Sequence, residues 1–323
     1  MKFFLKIIPA LILMSAAESL SAQNIVTKDS GTWGTEFDTV VVTSELVRLP
    51  ARVTLPPDSV KDFPVCILLG GSGPTDKDGT LGPTRFLRDL AHGLAERGIA
   101  SVRYDKRTAV YGGRTAEVSG GRIDYDTEVC EDALAAVSIA EKMFPENAGG
   151  IWIVGHSLGA MLAPRVAQQS NARVKGIVAL AAPARKLTDC LRDQIDLLAK
   201  QQGLSIQQRD DALQQILSAM PQEYLDGDKK YSALETANSL DIPMLFMQGE
   251  NDYQVTSGDA VIWQVSLAGK QKARIIILPK LNHLFAHSEQ MAQPTDYISR
   301  EHKISAEVLD NAARFILVFG QQK

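Results

Sequence analysis

The chain has 323 residues, of which 45% are hydrophobic and 22% charged, a balance that allows a large buried core and excludes a disordered chain, a collagen-like repeat and a disulfide-packed miniprotein. Lys plus Arg number 34 and Asp plus Glu 38, a net charge of −4, so there is no basic excess to hold nucleic acid and none is expected as a partner. Three cysteines are too few for a disulfide framework in a chain of this length.

The opening residues, MKFFLKIIPALILMSAAESLSAQN, place Lys2 and Lys6 first, an apolar stretch from Ile7 to Met14 next, and small residues through Ser21 and Ala22 last. This is the layout of a secretory signal peptide over residues 1–22. The cut after Ala22 leaves Leu20 where a small residue is usual, and an uncleaved N-terminal anchor is the alternative. The stretch is shorter than the roughly 20 residues that a membrane span needs. The expected product is exported, periplasmic or secreted, with no stable membrane insertion after the leader is removed.

Residues 39–55 alternate and are rich in β-branched side chains, which predicts two antiparallel strands. Phe63–Leu69 is a continuous apolar run closed by Gly70, Gly71 and Gly73, the pattern of a strand covered on both faces. Pro83 to Arg97 carries Phe86, Leu87, Leu90 and Leu94 at helical spacing, with Gly98 as its stop. Ile99–Tyr104 reads as a strand, 105–125 as a loop rich in Gly, Arg and Asp, and Asp126–Phe144 as a helix. A strand at Ile151–Val154, a helix at Leu158–Gln169 and a strand at Val174–Ala181 follow. Residues 184–238 hold no strand-like run. There, Leu187, Leu191, Ile195 and Leu198 mark one amphipathic helix, and a Gln-rich helix with Leu204, Leu213, Ile216 and Leu217 comes after it. Strands at Met244–Gln248 and Arg274–Leu278 and a helix at Ser305–Phe319 complete the chain. Alternating strands and helices predict an α/β fold, a mostly parallel sheet covered on both faces. The sheet domain would comprise 23–183 and 239–323, interrupted by a helical insertion at 184–238.

The sharpest local pattern is Gly155-His156-Ser157-Leu158-Gly159, a G-x-S-x-G placed between a strand and a helix. Such a turn exposes the serine Oγ at the helix N-terminus, where the Leu158 amide can face a developing oxyanion. A serine needs a base and a group that orients the base. In chain order, Asp252 follows the strand at 244–248 and His283 follows the strand at 274–278. Residues at the carboxyl ends of parallel strands converge on one crevice, so Ser157, Asp252 and His283 are the expected catalytic set. Glu250 and His287 are the competing acid and base. His156 reads as a packing residue pointing away from the acid, and His92 and His302 as surface or packing residues. The second oxyanion donor is expected from Gly70-Gly71-Ser72-Gly73-Pro74, at the Ser72 amide, because consecutive glycines let backbone amides approach an anion. No His or Cys spacing suggests a metal, and no cofactor is expected.

The segments GGSGPTDKDG (70–79), RYDKR (103–107) and GHSLG (155–159) resemble the α/β-hydrolase superfamily, in particular its bacterial esterases and serine-aminopeptidase-like hydrolases. The resemblance covers nearly all of residues 39–323. It implies Ser157, Asp252 and His283 as the triad, the Ser72 and Leu158 amides as the oxyanion hole, and 184–238 as a lid over an acyl pocket. In that subgroup the glycine loop often reads H-G-S-G-P; here Gly70 stands in place of the His. Asp76 and Asp78 read as a solvated loop rather than a cation site. Asp105, Lys106 and Arg107 read as ion pairs beside the pocket. Cys66 and Cys130 read as buried free thiols, Cys190 falls in the insertion, and Trp152 and Trp263 read as core.

The resulting expectation is a serine hydrolase that cleaves a small-molecule carboxylic ester through an acyl-enzyme. A peptidase, thioesterase or acyltransferase with the same triad is the alternative, with Glu223, Asp226 or Asp228 available to hold a substrate ammonium. A noncatalytic binding module on the same scaffold is a third reading, and the presence of candidates for every triad position argues against it.

Overall fold

The computed structural model describes residues 33–145 and 149–321, preceded by the short strand β1 (Thr27–Lys28). The leader expected at 1–22 lies outside the described residues. Among the described residues, nine strands form one sheet. They are β1, β2 (Thr35–Val42), β3 (Arg48–Thr54), β4 (Val65–Leu69), β5 (Ala100–Tyr104), β6 (Ile151–His156), β7 (Val174–Leu180), β8 (Met244–Gly249) and β9 (Ala273–Leu278). Their spatial order is β1-β2-β3-β5-β4-β6-β7-β8-β9. The first three are antiparallel and β3 meets β5 antiparallel; from β5 onward every pairing is parallel.

The period-two rule explains why these runs are strands buried on both faces. Val65, Ile67 and Leu69 of β4 enter one core layer while Cys66 and Leu68 enter the other. Strand β6 divides in the same way, with Ile151 and Ile153 on one side and Trp152 and Val154 on the other. Each fully buried Val, Leu or Ile contributes about 1.5–3 kcal/mol. Helices α1 (Phe86–Ala95) and α9 (Ala306–Gly320) cover the face of Cys66 and Trp152. Helices α2 (Glu131–Met143), α3 (Leu158–Gln169) and α8 (Ser257–Ser266) cover the face of Ile67 and Ile153.

Between β7 and β8 lie α4 (Leu187–Gln201), α5 (Ile206–Ala219), α6 (Gln222–Lys230) and α7 (Ala233–Ser239), where the apolar spacing predicts only two helices. Helix α6 keeps just Tyr224 and Asp228 buried, so hydrophobic periodicity barely marks it. The stretch expected as a loop at 105–125 contains short helices at Arg107–Tyr111 and Thr115–Val118. They are fixed by the buried Arg107, whose guanidinium grips Asp132 of α2 through two bonds of 2.8 and 2.6 Å. The helix expected at 126–144 begins with one π-turn, Asp126–Cys130, before α2. The helix expected from Pro83 begins at Phe86, after a small hairpin of Thr80–Leu81 and Thr84–Arg85. Helix α8 is absent from the sequence expectation because Val261, Ile262 and Val265 have low helix propensity; burial of Ala260 and Trp263 on one face overrides it.

The antiparallel edge is bolted to the parallel sheet by charge. Arg103 of β5 is fully buried and bonds Glu36 of β2 (2.8 Å), Thr54 of β3 (2.6 Å) and Asp78 (3.3 Å). His92 of α1 adds a bond to Glu36 at 3.1 Å and stacks on Trp33 at 4.2 Å. Burial alone would raise the Glu36 carboxyl, but the His92 bond and the Arg103 charge hold it down at about 2. Stability resting on ionised Glu36 is therefore complete above its ordinary value of 4.5 and is lost as pH falls toward about 2. Removing one partner of such a pair strands the other charge. Arg103→Met is expected to lower the unfolding free energy by about 3–5 kcal/mol in urea titration at neutral pH, and Arg103→Met/Glu36→Gln to recover much of that loss.

Candidate active site

Strand β6 ends at His156 and α3 begins at Leu158, so Ser157 alone makes the turn between them. Its backbone sits at φ 55, ψ −118, a conformation that costs a residue bearing a Cβ about 1–3 kcal/mol. The surroundings enforce it. The Ser157 amide donates to the Leu180 carbonyl at 2.8 Å, and the Ser157 carbonyl accepts from the Met161 amide at 2.9 Å. A Cβ on Gly155 would lie 2.4 Å from the Gly159 oxygen, and one on Gly159 would lie 2.6 Å from the Gly70 oxygen, so strand, helix and loop can approach only where both are glycine.

The Asp252 carboxylate, in the turn after β8, is fully buried and fully engaged. One oxygen accepts from the amides of Gln254 (2.8 Å) and Val255 (3.1 Å). The other accepts from Gln248 Nε2 (2.9 Å) and faces His283 Nδ1 at 2.7 Å. A carboxylate that accepts here takes Nδ1 as its donor, and Nε2 is the ring nitrogen left for another partner. The loop carrying His283 is shaped by Asn282, whose Oδ1 accepts from the amides of Leu284 (3.0 Å) and Ala286 (3.1 Å). The His283 amide in turn donates to the Tyr297 hydroxyl at 3.2 Å.

His156 does more than pack. Its ring lies against Phe86, with centroids 4.4 Å apart, and against the ring of His283 at 4.6 Å. Its Nε2 donates to the His283 carbonyl at 2.8 Å, which ties the residue before the serine directly to the base. Burial, and then the neighbouring His283, push its pKa down to about 3, so it is neutral and can serve as this single donor. Gln248 was visible in the sequence as the polar residue closing an apolar strand, yet its bond to Asp252 could be found only in three dimensions.

The competing groups stand elsewhere. Glu250 is exposed and accepts from the Lys280 amide at 3.2 Å. His287 is exposed and pairs with Glu289 at 3.4 Å. His302 is buried and bonds the Asp296 carbonyl at 2.8 Å. Asp76 accepts from the Thr80 amide at 2.9 Å, and Asp78 accepts from Arg103 at 3.3 Å, so both carboxylates anchor the glycine loop. That loop lies on Ser157: a Cβ on Gly71 would be 3.3 Å from Ser157 Cβ. Ser72 follows it with an exposed side chain, and the Leu158 amide is the first of α3, with no partner inside the helix. Asp228 is not available to a substrate ammonium, because it is buried and accepts from Tyr125 Oη (2.7 Å) and from the amides of Leu187 (2.8 Å) and Thr188 (3.1 Å). The three cysteines are buried and unpaired with one another; burial raises their thiols, that of Cys190 to about 12.

Residues 79–223 match the sequence model of the family described as serine aminopeptidase, S33. The chain is 34% identical over 283 residues to esterase EstD of Thermotoga maritima, across 83% of this chain. The fold is that of the α/β hydrolases. The chain spans 65% of the length of EstD. Among solved structures it resembles Est1E from Butyrivibrio proteoclasticus (TM-score 0.58, 14% identity, 87% of this chain and 98% of that one). It also resembles dipeptidyl peptidase 4 of Porphyromonas gingivalis (TM-score 0.58, 18% identity, 88% of this chain and 36% of that one). At these identities the likeness concerns the fold. The S33 match contains Ser157 and ends before Asp252 and His283, whose placement is seen in the structure alone. Among the described residues, no helix is long and apolar enough to cross a membrane.

Because buried His156 binds a proton only near pH 3 while an unfolded histidine does so near 6.5, unfolding takes up a proton between these limits. Its contribution therefore holds above pH 6.5 and is lost as pH falls toward 3. His156→Gln keeps an amide donor but cannot titrate. In thermal melts between pH 7 and pH 4, the variant is expected to show a shallower fall in Tm than the wild type; parallel curves would contradict the buried, neutral assignment.

Proposed function

We propose that this hydrolase cleaves carboxylic esters of small molecules through an acyl-enzyme, with Ser157 as nucleophile, His283 as general base and acid, and Asp252 as the orienting carboxylate. The observation that carries the proposal is the 2.7 Å His283–Asp252 bond, which the bond from His156 to the His283 carbonyl ties to the strained Ser157 turn. EstD, which is named as an esterase, supports the ester bond as the target.

The chemistry follows from the protonation state. His283 Nε2 takes the Ser157 hydroxyl proton as Oγ attacks the ester carbonyl carbon. The imidazolium that forms is stabilised by Asp252, and the oxyanion is held by the Ser72 and Leu158 amides. Collapse breaks the carbonyl–alkoxy bond, and the alcohol departs with the proton from Nε2. Water then attacks the acyl-enzyme by the same route, giving the acid and restoring Ser157. The residues contribute all the groups this needs, so the scheme uses no cofactor. Helices α4 to α7 would form the lid that shapes the acyl pocket, and residues 1–22 would direct export to the periplasm or beyond.

A second reading, cleavage of aminoacyl amides, is favoured by the S33 match. It loses one support, because Asp228 is committed to Tyr125 and α4, while Asp226 is on the surface with Gln222 and Lys229. Acyl transfer and thioester cleavage would need the same triad.

Ser157→Ala is expected to reduce turnover of p-nitrophenyl esters by at least about a thousandfold with an unchanged melting temperature, and to abolish labelling by a fluorophosphonate. Wild-type rates in that variant would sink the assignment. A panel of p-nitrophenyl esters and aminoacyl p-nitroanilides separates the two readings, with esters expected to be turned over faster.

A further inference from the structure

The RYDKR segment has no part in the chemistry above, yet it is clasped to the glycine loop along its length. The Lys106 amide donates to the Thr75 carbonyl at 2.9 Å, and the Asp105 carboxylate accepts from the Lys77 amide at 2.6 Å. The Lys106 side chain turns inward, 6% exposed, and forms an ion pair of 2.8 Å with Glu128, 5% exposed. A second proton of the same ammonium donates to the Gly71 carbonyl at 3.1 Å.

That carbonyl belongs to the peptide whose N–H is the Ser72 amide. The described residues contain no cis peptide, and in a trans peptide the C=O and N–H point in opposite directions. A cation fixed on the Gly71 oxygen therefore directs the Ser72 N–H away from Lys106. It also opposes the flip that would aim a carbonyl at the developing oxyanion. A positive charge on the acceptor end polarises the amide as well, which strengthens its N–H as a donor. The Gly71 backbone already lies on Ser157, so the peptide has little distance to span.

Resting on the ester-hydrolase reading, we propose that Lys106, anchored by Glu128, is a positioning residue that orients and polarises the Gly71–Ser72 peptide as an oxyanion donor. Glu128 is needed because an unpaired ammonium at this depth is costly. It also accepts from Thr108 Oγ1 at 3.3 Å. A group that acts through the oxyanion hole matters more in the transition state than in the bound ester, so its loss falls on kcat rather than KM.

The experiment compares the wild-type protein, Ser157→Ala, Lys106→Met and Lys106→Met/Glu128→Gln on p-nitrophenyl butyrate. It adds inhibition by an alkyl trifluoromethyl ketone, which forms a tetrahedral adduct on an activated serine. Ser157→Ala tests the reading itself: retained turnover there defeats the ester-hydrolase assignment whatever Lys106 does. With turnover dependent on Ser157, the double variant, which leaves no stranded charge, is expected to melt within a few degrees of wild type. Its kcat is expected to fall about 10- to 100-fold, somewhat less than the loss of a whole oxyanion donor, with KM within twofold and the ketone weakened by a similar factor. A kcat within threefold of wild type, a loss carried by KM, or unchanged ketone affinity would each overturn the proposal. If Lys106→Met alone does not fold, the double variant decides.

Discussion

Everything at the crevice depends on one backbone turn. Ser157 can point its hydroxyl out of the sheet only by adopting φ 55, and that conformation must be held against about 1–3 kcal/mol of strain. The restraint comes from packing on both sides of the turn. Beyond it, Leu158, Met161, Leu162 and Val166 of α3 are at most 2% exposed, each contributing about 1.5–3 kcal/mol of burial. Before it, β6 is paired on both edges by β4 and β7. Relaxing the turn would pull the helix off the sheet, so the strain persists because it is far smaller than what opposes its release. The two flanking glycines follow from this, since the helix can lie this close to β4 and the Gly70 loop only without a Cβ.

Asp252 and His283, unlike Ser157, stand on loops. Here the loops gain rigidity from saturated hydrogen bonding. Asp252 accepts four donors. Asn282 folds the His283 loop back on itself. His156 reaches from the elbow to the His283 carbonyl, so the Ser157 turn and the His283 loop share a direct link besides the sheet. Among the described buried side-chain atoms, only Ser101 Oγ and Gln194 Oε1 have no partner, and neither belongs to this set. Dipoles already in place do not have to reorganise as charge develops. The low pKa of His156 has the same setting, a buried ring held against His283.

That Ser157, Asp252 and His283 follow strand ends was legible in the sequence, because apolar runs stop there at Gly, Asn or Asp. The parallel layout was legible for the same reason. What stayed hidden was every relation between distant segments. Lys106 and Gly71 are 35 positions apart, and His156 and His283 are 127 apart; no local period encodes such pairings. Asp228 looked like a free acidic residue in a polar run, and only its contacts with Tyr125 and Thr188 reveal it as a buried anchor. Helix α8 was missed because intrinsic preference and tertiary burial disagree there, and burial prevailed.

The block between β7 and β8 shows the same division between what is anchored and what is not. Its base is tied to α3 and α8 by polar contacts. Asp228 caps α4 and holds Tyr125. Tyr231 Oη donates to the Met161 carbonyl of α3 at 3.0 Å, and Arg185 pairs with the buried Asp259 of α8 at 2.9 Å. Lys186 also donates to the Tyr231 carbonyl. Helix α5 differs: Ile216 is its one buried residue among those described, and Ile206 is 71% exposed. An element with so little buried apolar surface opens at low cost. The base of the block is therefore held in register with α3, while α5, which buries the least, is the part of the block freest to move.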